Sequence, residues 1–297
     1  MSDVHLHMRP DYLVIGHVAK DVLPGGGSTA GGTVTYSSLA AQRLGLQAAV
    51  VTACAPGDEG LLAPLRDAGV WVNALPSPVT TTFSNTYDAT GRRVQVIGGQ
   101  ARGLDLDDVP RVWQAAAIAH LGPIAQELPP GLAGQLSPGR LLGVTPQGWL
   151  RSWDEQGRVA QSATPIPAAL AHLPASAVLV LSIEDLGYRP DLLSSYVKLV
   201  ELTVVTRGAE AARVYRRGTF TEAPALPAQV VDLTGAGDVF ATAFFICYAE
   251  THDPAQAARF AHAAAACAIE GHGTSAIAAR ETIERRLRGQ PWGGLPH

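Results

Sequence analysis

The sequence predicts an α/β fold, a three-layer sandwich with a mainly parallel central sheet and a small β lid, and three observations predict it. Short β-rich apolar runs alternate with Ala/Leu-rich helical stretches, the signature of a parallel sheet covered by helices. Several of the runs are apolar throughout, as strands buried on both faces are. Two segments, VLPGGGSTAGG at 22–32 and TTTFSNTYDATGRRVQVIGG at 80–99, break the rhythm. With 297 residues at 47% hydrophobic composition the chain can bury one large core, so a single domain over 1–297 is expected.

The alternation starts with YLVIG (12–16) as strand, YSSLAAQRLG (36–45) as helix, AAVVTA (48–53) as strand, EGLLAPLRDAG (59–69) as helix and VWVNAL (70–75) as strand. It returns with AAIAHLG, LLGVTP, AVLVLS and LTVVTRG, each an apolar run that ends in small or polar residues. The glycine loop at 22–32 is too flexible for a core strand, whereas alternation around a DATG turn makes 80–99 a half-exposed hairpin. One excursion precedes the first helix and the other follows the third strand. A lid formed by about 18–33 and 76–100 is therefore expected over the carboxyl edge of the sheet, where open α/β sheets bind ligands. A second hairpin, ARVYRRGTFTEA, turns at Arg217-Gly218, and helices over 235–250, 254–270 and 279–288 close the chain.

Charged residues make up 16% and the net charge is -4, so no broad basic surface exists for nucleic acid or anionic lipid. Small-molecule ligands fit better. Cys54, Cys247 and Cys267 stand alone in apolar or small-residue runs and read as buried thiols. The opening MSDVHLHMRPD lacks the apolar stretch of a signal peptide and no run has the length of a membrane span, so no membrane association and a cytoplasmic location are expected.

The sharpest feature is VDLTGAGDVF at 231–240, a Gly-rich turn that feeds an apolar helix. Amide groups at a helix start lack carbonyl partners and the aligned dipoles favour negative charge, so Gly235, Ala236 and Gly237 offer an anion hole. Asp238 follows in the first turn, where the dipole favours its ionised form and suits it to accept a proton. The residues alone also allow a plain helix cap on a tight turn.

DLTGAGDVFATAFF resembles the C-terminal signature of the ribokinase-like (PfkB) carbohydrate kinases, and the likeness extends over nearly the whole chain. The resemblance implies an ATP-dependent enzyme that phosphorylates a hydroxyl of a sugar or cyclic polyol. Asp238 would be its catalytic base and Gly235, Ala236 and Gly237 its anion hole. It further implies that Asp21, five residues after Gly16, binds acceptor hydroxyls, and that Gly31-Gly32 hinges the lid and contacts the acceptor. A surface-turn aspartate and a plain glycine linker are the alternatives.

The sequence also departs from the family. Tyr36 stands where the family has Asn, which puts the identity of the acceptor in question. The family's Asn-x-x-Glu element, which organises Mg²⁺ through water, is matched only in position by Ser182-Ile183-Glu184-Asp185-Leu186. Glu184 or Asp185 would serve the metal there, or the segment merely caps a helix. Thr206-Arg207-Gly208 resembles the nucleotide-binding Thr-x-Gly, with Ser182 and His262 beside it, although an isolated His262 on an Ala-rich helix also reads as packing. The stretch from Thr145 to Asp154, which contains Arg151, is similar to one in the myo-inositol kinase branch and leans the acceptor towards a cyclic polyol. ATP and Mg²⁺, with a monovalent cation as a further ion to test, complete the implied set.

No GxxxxGK[ST] occurs, which excludes a P-loop ATPase; GGGSTAGG fails the dinucleotide spacing, and Gly27-Ser28-Thr29 has no GxSxG frame. A nucleoside kinase and a non-catalytic sugar-binding homologue stay open as rivals. A homodimer through the lid is expected as well, because the 80–99 hairpin would otherwise expose a half-apolar edge.

Overall fold

The computed structural model describes residues 3–289 apart from 24, 88–92, 137, 165 and 188. The first apolar run forms β1 (Tyr12–Ile15), buried at all four positions. The chain then leaves the body as β2 (Ala19–Val22) and β3 (Ser28–Gly31) and returns through α1 (Thr33–Arg43), β4 (Ala48–Cys54), α2 (Ala63–Asp67) and β5 (Trp71–Pro76). A second excursion gives β6 (Thr82–Tyr87) and β7 (Arg93–Gly99), before β8 (Ile118–Leu121), α3 (Leu132–Leu136) and β9 (Leu141–Val144). A hairpin of β10 (Arg151–Trp153) and β11 (Val159–Gln161) precedes α4 (Ala168–Ala171), β12 (Val178–Ser182), α5 (Pro190–Tyr196) and β13 (Leu202–Arg207). The hairpin of β14 (Glu210–Arg216) and β15 (Thr219–Ala223) leads into α6 (Ala236–Thr251), α7 (Pro254–Ala268) and α8 (Arg280–Leu287).

Nine strands form the central sheet in the order β15-β14-β13-β12-β9-β8-β1-β4-β5. From β13 to β5 all neighbours are parallel, and β14 and β15 add an antiparallel edge. Alternate strand residues face opposite layers, as the pleat requires. Tyr12, Val14, Val50 and Val204 pack with α1, α6 and α7, while Leu13, Ile15, Val51 and Leu179 pack with α3, α4 and α5. This is the expected three-layer sandwich. The β14–β15 turn has positive φ at both Arg217 (49°) and Gly218 (84°), the geometry that matches strand twist in two-residue hairpins.

Two expected helices shift. α1 begins at Thr33 rather than 36, directly after Gly32, whose φ of 85° turns the chain into the helix. The stretch read as a helix over 59–69 spends its start, Pro56–Leu62, in 3-10 turns, leaving only α2 as α-helix. Among the described residues no helix is long and apolar enough to cross a membrane.

The two early excursions meet in a separate four-stranded sheet of order β3-β2-β6-β7. The expected DATG turn at 88–91 lies outside the described residues. Buried Phe83 and Ile97 form a small core with Ala19, Ile124 and Ala125, closed by Trp153 and Val159 of the β10–β11 hairpin. That hairpin also meets the β7 edge: the Ile97 amide donates to the Gly157 carbonyl (2.8 Å), and Val96 bridges Arg158. The hairpin thus covers, from within the chain, part of the apolar surface that a homodimer through this sheet was expected to bury.

Buried His17 and Glu127 tie this sheet to the body. The Glu127 carboxylate accepts amides of His17 (2.9 Å), Ile124 and Ala125, and the His17 ring bonds to the Thr81 hydroxyl (2.7 Å) and the Arg102 carbonyl (2.8 Å). One buried cluster thus holds three places where the chain passes between the sheets.

Close packing of the central sheet yields a stability prediction. A Cβ on Gly143 in β9 would lie 2.5 Å from the Phe245 ring of α6. Gly143→Ala should therefore destabilise the protein by ~1–3 kcal/mol through overpacking, read from the denaturation midpoint; an unchanged midpoint would contradict the packing.

Candidate active site

The carboxyl ends of β9, β12 and β13, the start of α6 and the four-stranded sheet enclose a cavity of about 890 Å³. At its centre lies the Gly-rich turn. Asp232 shapes that turn: its carboxylate accepts the Thr234 amide (2.9 Å) and hydroxyl (2.6 Å) and, across to the loop after α7, the Gly273 amide (2.9 Å). Burial pushes its pKa up, but these hydrogen bonds prevail and hold it below the usual range. The backbone is pinned again where the amides of Val231 and Asp232 donate to the Ile269 carbonyl.

Gly235 caps α6 with a left-handed φ of 75°, and a Cβ there would lie 2.1 Å from the Tyr36 ring. Both facts require glycine. Tyr36 thus packs on the turn from α1; burial first, then the charges of Asp232, Asp21 and Asp238, push its hydroxyl well above the ordinary range and keep it protonated. Of the three residues expected to form an anion hole, Ala236 differs in that its amide donates to the Leu233 carbonyl (3.2 Å) within the turn. Gly237 and Asp238 lie deeper in the first helical turn, where no preceding helical carbonyl reaches an amide.

Asp238 is half-buried on the cavity wall. Burial raises its pKa to about 6 and the charge of Asp185 adds to that, against a hydrogen bond from the Thr33 side chain and the opposite charge of Arg151. The helix dipole was expected to favour the ionised form; burial outweighs it. Asp185 accepts the Ser182 amide (2.8 Å) and a Gln147 amide (3.4 Å), and its pKa too is raised by burial, with Arg151 opposing. Glu184 lines the same wall but is exposed.

At the other end, Asp21 on β2 pairs with Thr29 of β3, and a Cβ on Gly31, two residues further along β3, would lie 1.9 Å from an Asp21 carboxylate oxygen. Gly32 is equally constrained, by its positive φ and by the His17 carbonyl 2.6 Å from the position of a Cβ. Asp21, Gly32 and Tyr36 line the cavity, as do Arg151, Ser182, Thr206, Gly208 and His262. The Thr206 hydroxyl donates to the Leu181 carbonyl (3.5 Å). His262 is spent on structure: its ring bonds to the Ala212 amide (3.4 Å) and the Ala223 backbone and stacks edge-on with Phe240, which leaves a ligand its ring surface rather than a free nitrogen.

Sequence reasoning missed Thr33, Asp232, Gln147 and the 272–275 loop, all of which line this space. Asp232 sits inside the quoted motif and Thr33 directly follows Gly32, so adjacency was the available signal. The 272–275 loop carried none.

The proteins that this chain is similar to are kinases. Residues 187–281 match the pfkB family carbohydrate kinases. A cytidine kinase from Thermococcus kodakarensis is 27% identical over 252 residues, covering 80% of this chain and 88% of that protein. The fold superposes with a TM-score of 0.76 on a pyrophosphate-dependent kinase of the ribokinase family complexed with a pyrophosphate analogue and myo-inositol (24% identical, 92% of this chain, 99% of the other). It superposes at 0.72 on an Arabidopsis thaliana ribokinase complexed with ribose and ATP (21% identical, 95% and 99%). The chain has the ribokinase fold, and its C-terminal third is similar to the pfkB family carbohydrate kinases.

Asp238 generates a prediction of its own. Its carboxyl binds a proton more tightly folded than unfolded, so ionisation costs stability as pH rises from its ordinary range to about 6. Asp238→Asn removes that cost. The variant should match the wild type in Tm near pH 4 and exceed it above pH 6.5; a pH-independent difference would contradict the buried carboxylate.

Proposed function

We propose that the protein transfers a phosphoryl group from ATP to a hydroxyl of a sugar or cyclic polyol, with Asp238 as general base. The observation that carries this reading is a half-buried carboxylate with a pKa near 6 in the first turn of α6, beside an Asp185 and an Arg151 that line the same cavity. At neutral pH such a group is ionised, yet more basic than an ordinary aspartate, which suits it to take a hydroxyl proton. As the acceptor oxygen bonds to phosphorus, its proton passes to Asp238 and the donor leaves with the P–O electron pair. The α6 dipole and the amides of Gly237 and Asp238 stabilise the moving charge, with Gly235 and Ala236 holding the turn in shape.

In this reading Asp21, Gly31, Gly32 and Tyr36 form the acceptor end. Ser182, Thr206, Gly208 and the ring of His262 form the nucleotide end. Asp185, with Glu184, would hold Mg²⁺: an oxygen-only pair suits a hard cation that keeps most of its water and needs one or two carboxylates beside donor phosphates. Among the described residues no group of three His, Cys, Asp or Glu gathers for a tighter metal site. Bound there, Mg²⁺ would neutralise donor charge. A monovalent-cation requirement rests on the family resemblance alone.

Likeness to the myo-inositol complex supports a cyclic polyol, and the same neighbour raises pyrophosphate as a donor. The cytidine kinase supports a nucleoside as the second reading. The test crosses ATP and pyrophosphate with ribose, myo-inositol and cytidine; transfer to none of them would overturn the kinase reading and favour a non-catalytic binding protein. On the acceptor used, Asp21→Ala should raise KM by ~10-fold or more, the worth of hydrogen bonds to a charged group, and leave the donor KM nearly unchanged. An unchanged acceptor KM would remove Asp21 from that role. The wild-type kcat should fall as pH drops through about 6.

A further inference from the structure

Arg151 supplies the one Lys or Arg side chain that lines the cavity among the described residues. Asp238 and Asp185 line the same space and both feel its charge, and a phosphate donor would bring more negative charge. A guanidinium fork can span two phosphoryl oxygens at once.

This side chain is held by the loop after β8 and by the outer sheet. Its Nη1 donates to the Ile124 carbonyl (3.4 Å), and its guanidinium lies 5.6 Å from the centroid of the Phe83 ring on β6. Arg151 is also the first residue of the β10–β11 hairpin, whose tip is docked on β7. There the Ile97 amide donates to the Gly157 carbonyl (2.8 Å), and Gly157 has a φ of 73° with the Ile97 carbonyl 2.4 Å from the position of a Cβ. Asp154 braces the tip by accepting the amides of Gln156 (3.1 Å) and Arg158 (2.8 Å) and the Arg158 guanidinium (2.6 Å). At its far end the hairpin reaches the turn of Asp185, whose carbonyl accepts the Gln161 side chain. One hairpin therefore grips the outer sheet, carries Arg151 and ends beside Asp185.

Resting on the kinase reading above, we propose that Arg151 contacts the phosphoryl group in transit and that docking of the β10–β11 hairpin on β7 through Gly157 sets it there. Arg151 stays protonated throughout; the proton of the acceptor goes to Asp238 and the breaking P–O bond leaves its electron pair on the donor. Gly157 touches no reacting atom and acts as a positioning residue through Arg151. The outer sheet and the cation then move as one unit, so acceptor binding at that sheet and charge neutralisation at phosphorus are coupled.

The experiment is a double-mutant cycle in kcat on whichever of ribose, myo-inositol or cytidine the wild type phosphorylates. Arg151→Ala should lower kcat by ~10²–10³-fold, the cost of losing one preorganised charge-stabilising group, with part recovered by Arg151→Lys, and with the acceptor KM and Tm nearly unchanged. Gly157→Val should lower kcat ~10-fold or more alone, yet add nothing in the Arg151→Ala background, since a residue acting through another is non-additive with it. If circular dichroism finds Gly157→Val unfolded, Gly157→Ala, which meets the same carbonyl, takes its place. Arg151→Ala within two-fold of wild type, an unimpaired Gly157 variant, or multiplicative effects in the double mutant would overturn the proposal while leaving the kinase reading intact. A wild type that transfers phosphate to none of the three acceptors would overturn both.

Discussion

Asp238 and Asp185 face one cavity, and the charge of Asp185 adds to burial in making ionisation of Asp238 costly. Much of the local architecture answers that constraint. Thr33 and the Arg151 charge oppose the shift at Asp238, while the Ser182 amide, the Arg151 charge and Gln147 oppose it at Asp185. A carboxylate held at this balance is charged at neutral pH and still basic, a state that neither a solvated nor a fully sequestered aspartate reaches. The cost falls on folding stability; under the proposed function the return is proton transfer.

Holding the carboxylates there requires backbone to approach side chains more closely than a Cβ allows. Gly235 lies against the Tyr36 ring, Gly31 against the Asp21 carboxylate and Gly32 against the His17 carbonyl. Each of these contacts joins a different segment to the site: α1 to the α6 turn, β2 to β3, and the first crossover to the start of α1. The buried His17–Glu127 cluster then fixes the outer sheet on the body. Hydrogen-bonded burial of this kind is costly to rearrange, so the site is largely formed before any ligand enters.

The central sheet was legible because strands buried on both faces read as unbroken apolar runs, and the β14–β15 turn because Arg-Gly accepts two positive φ values. Helix starts were less legible. α1 begins on Thr33 through the conformation of Gly32, which propensity does not encode, and the proline- and glycine-rich stretch after Cys54 favours 3-10 turns over the expected helix. Within the cavity, residues inside local motifs were visible in the sequence, such as Asp238 and the glycines before it. Residues brought in by long-range packing were not: the 272–275 loop enters through one hydrogen bond to Asp232, 41 positions away in the chain. The β10–β11 hairpin was read only as a likeness between short stretches, because its partner is β7 and no periodicity within 151–161 announces that. His262 gave the opposite lesson, since its place on the cavity was inferred while its nitrogens are committed to β14 and β15.

Phosphoryl transfer at this site, as proposed, depends on the proton that Asp238 would accept. The direct measurement is kcat of Asp238→Asn against wild type on the same acceptor and donor, with folding checked by circular dichroism. The amide keeps the size and polarity of the side chain but cannot take a proton. The variant should lose ~10²–10⁴-fold in kcat, the range for a missing general base, with donor binding retained; full kcat in a folded variant would contradict the role of Asp238.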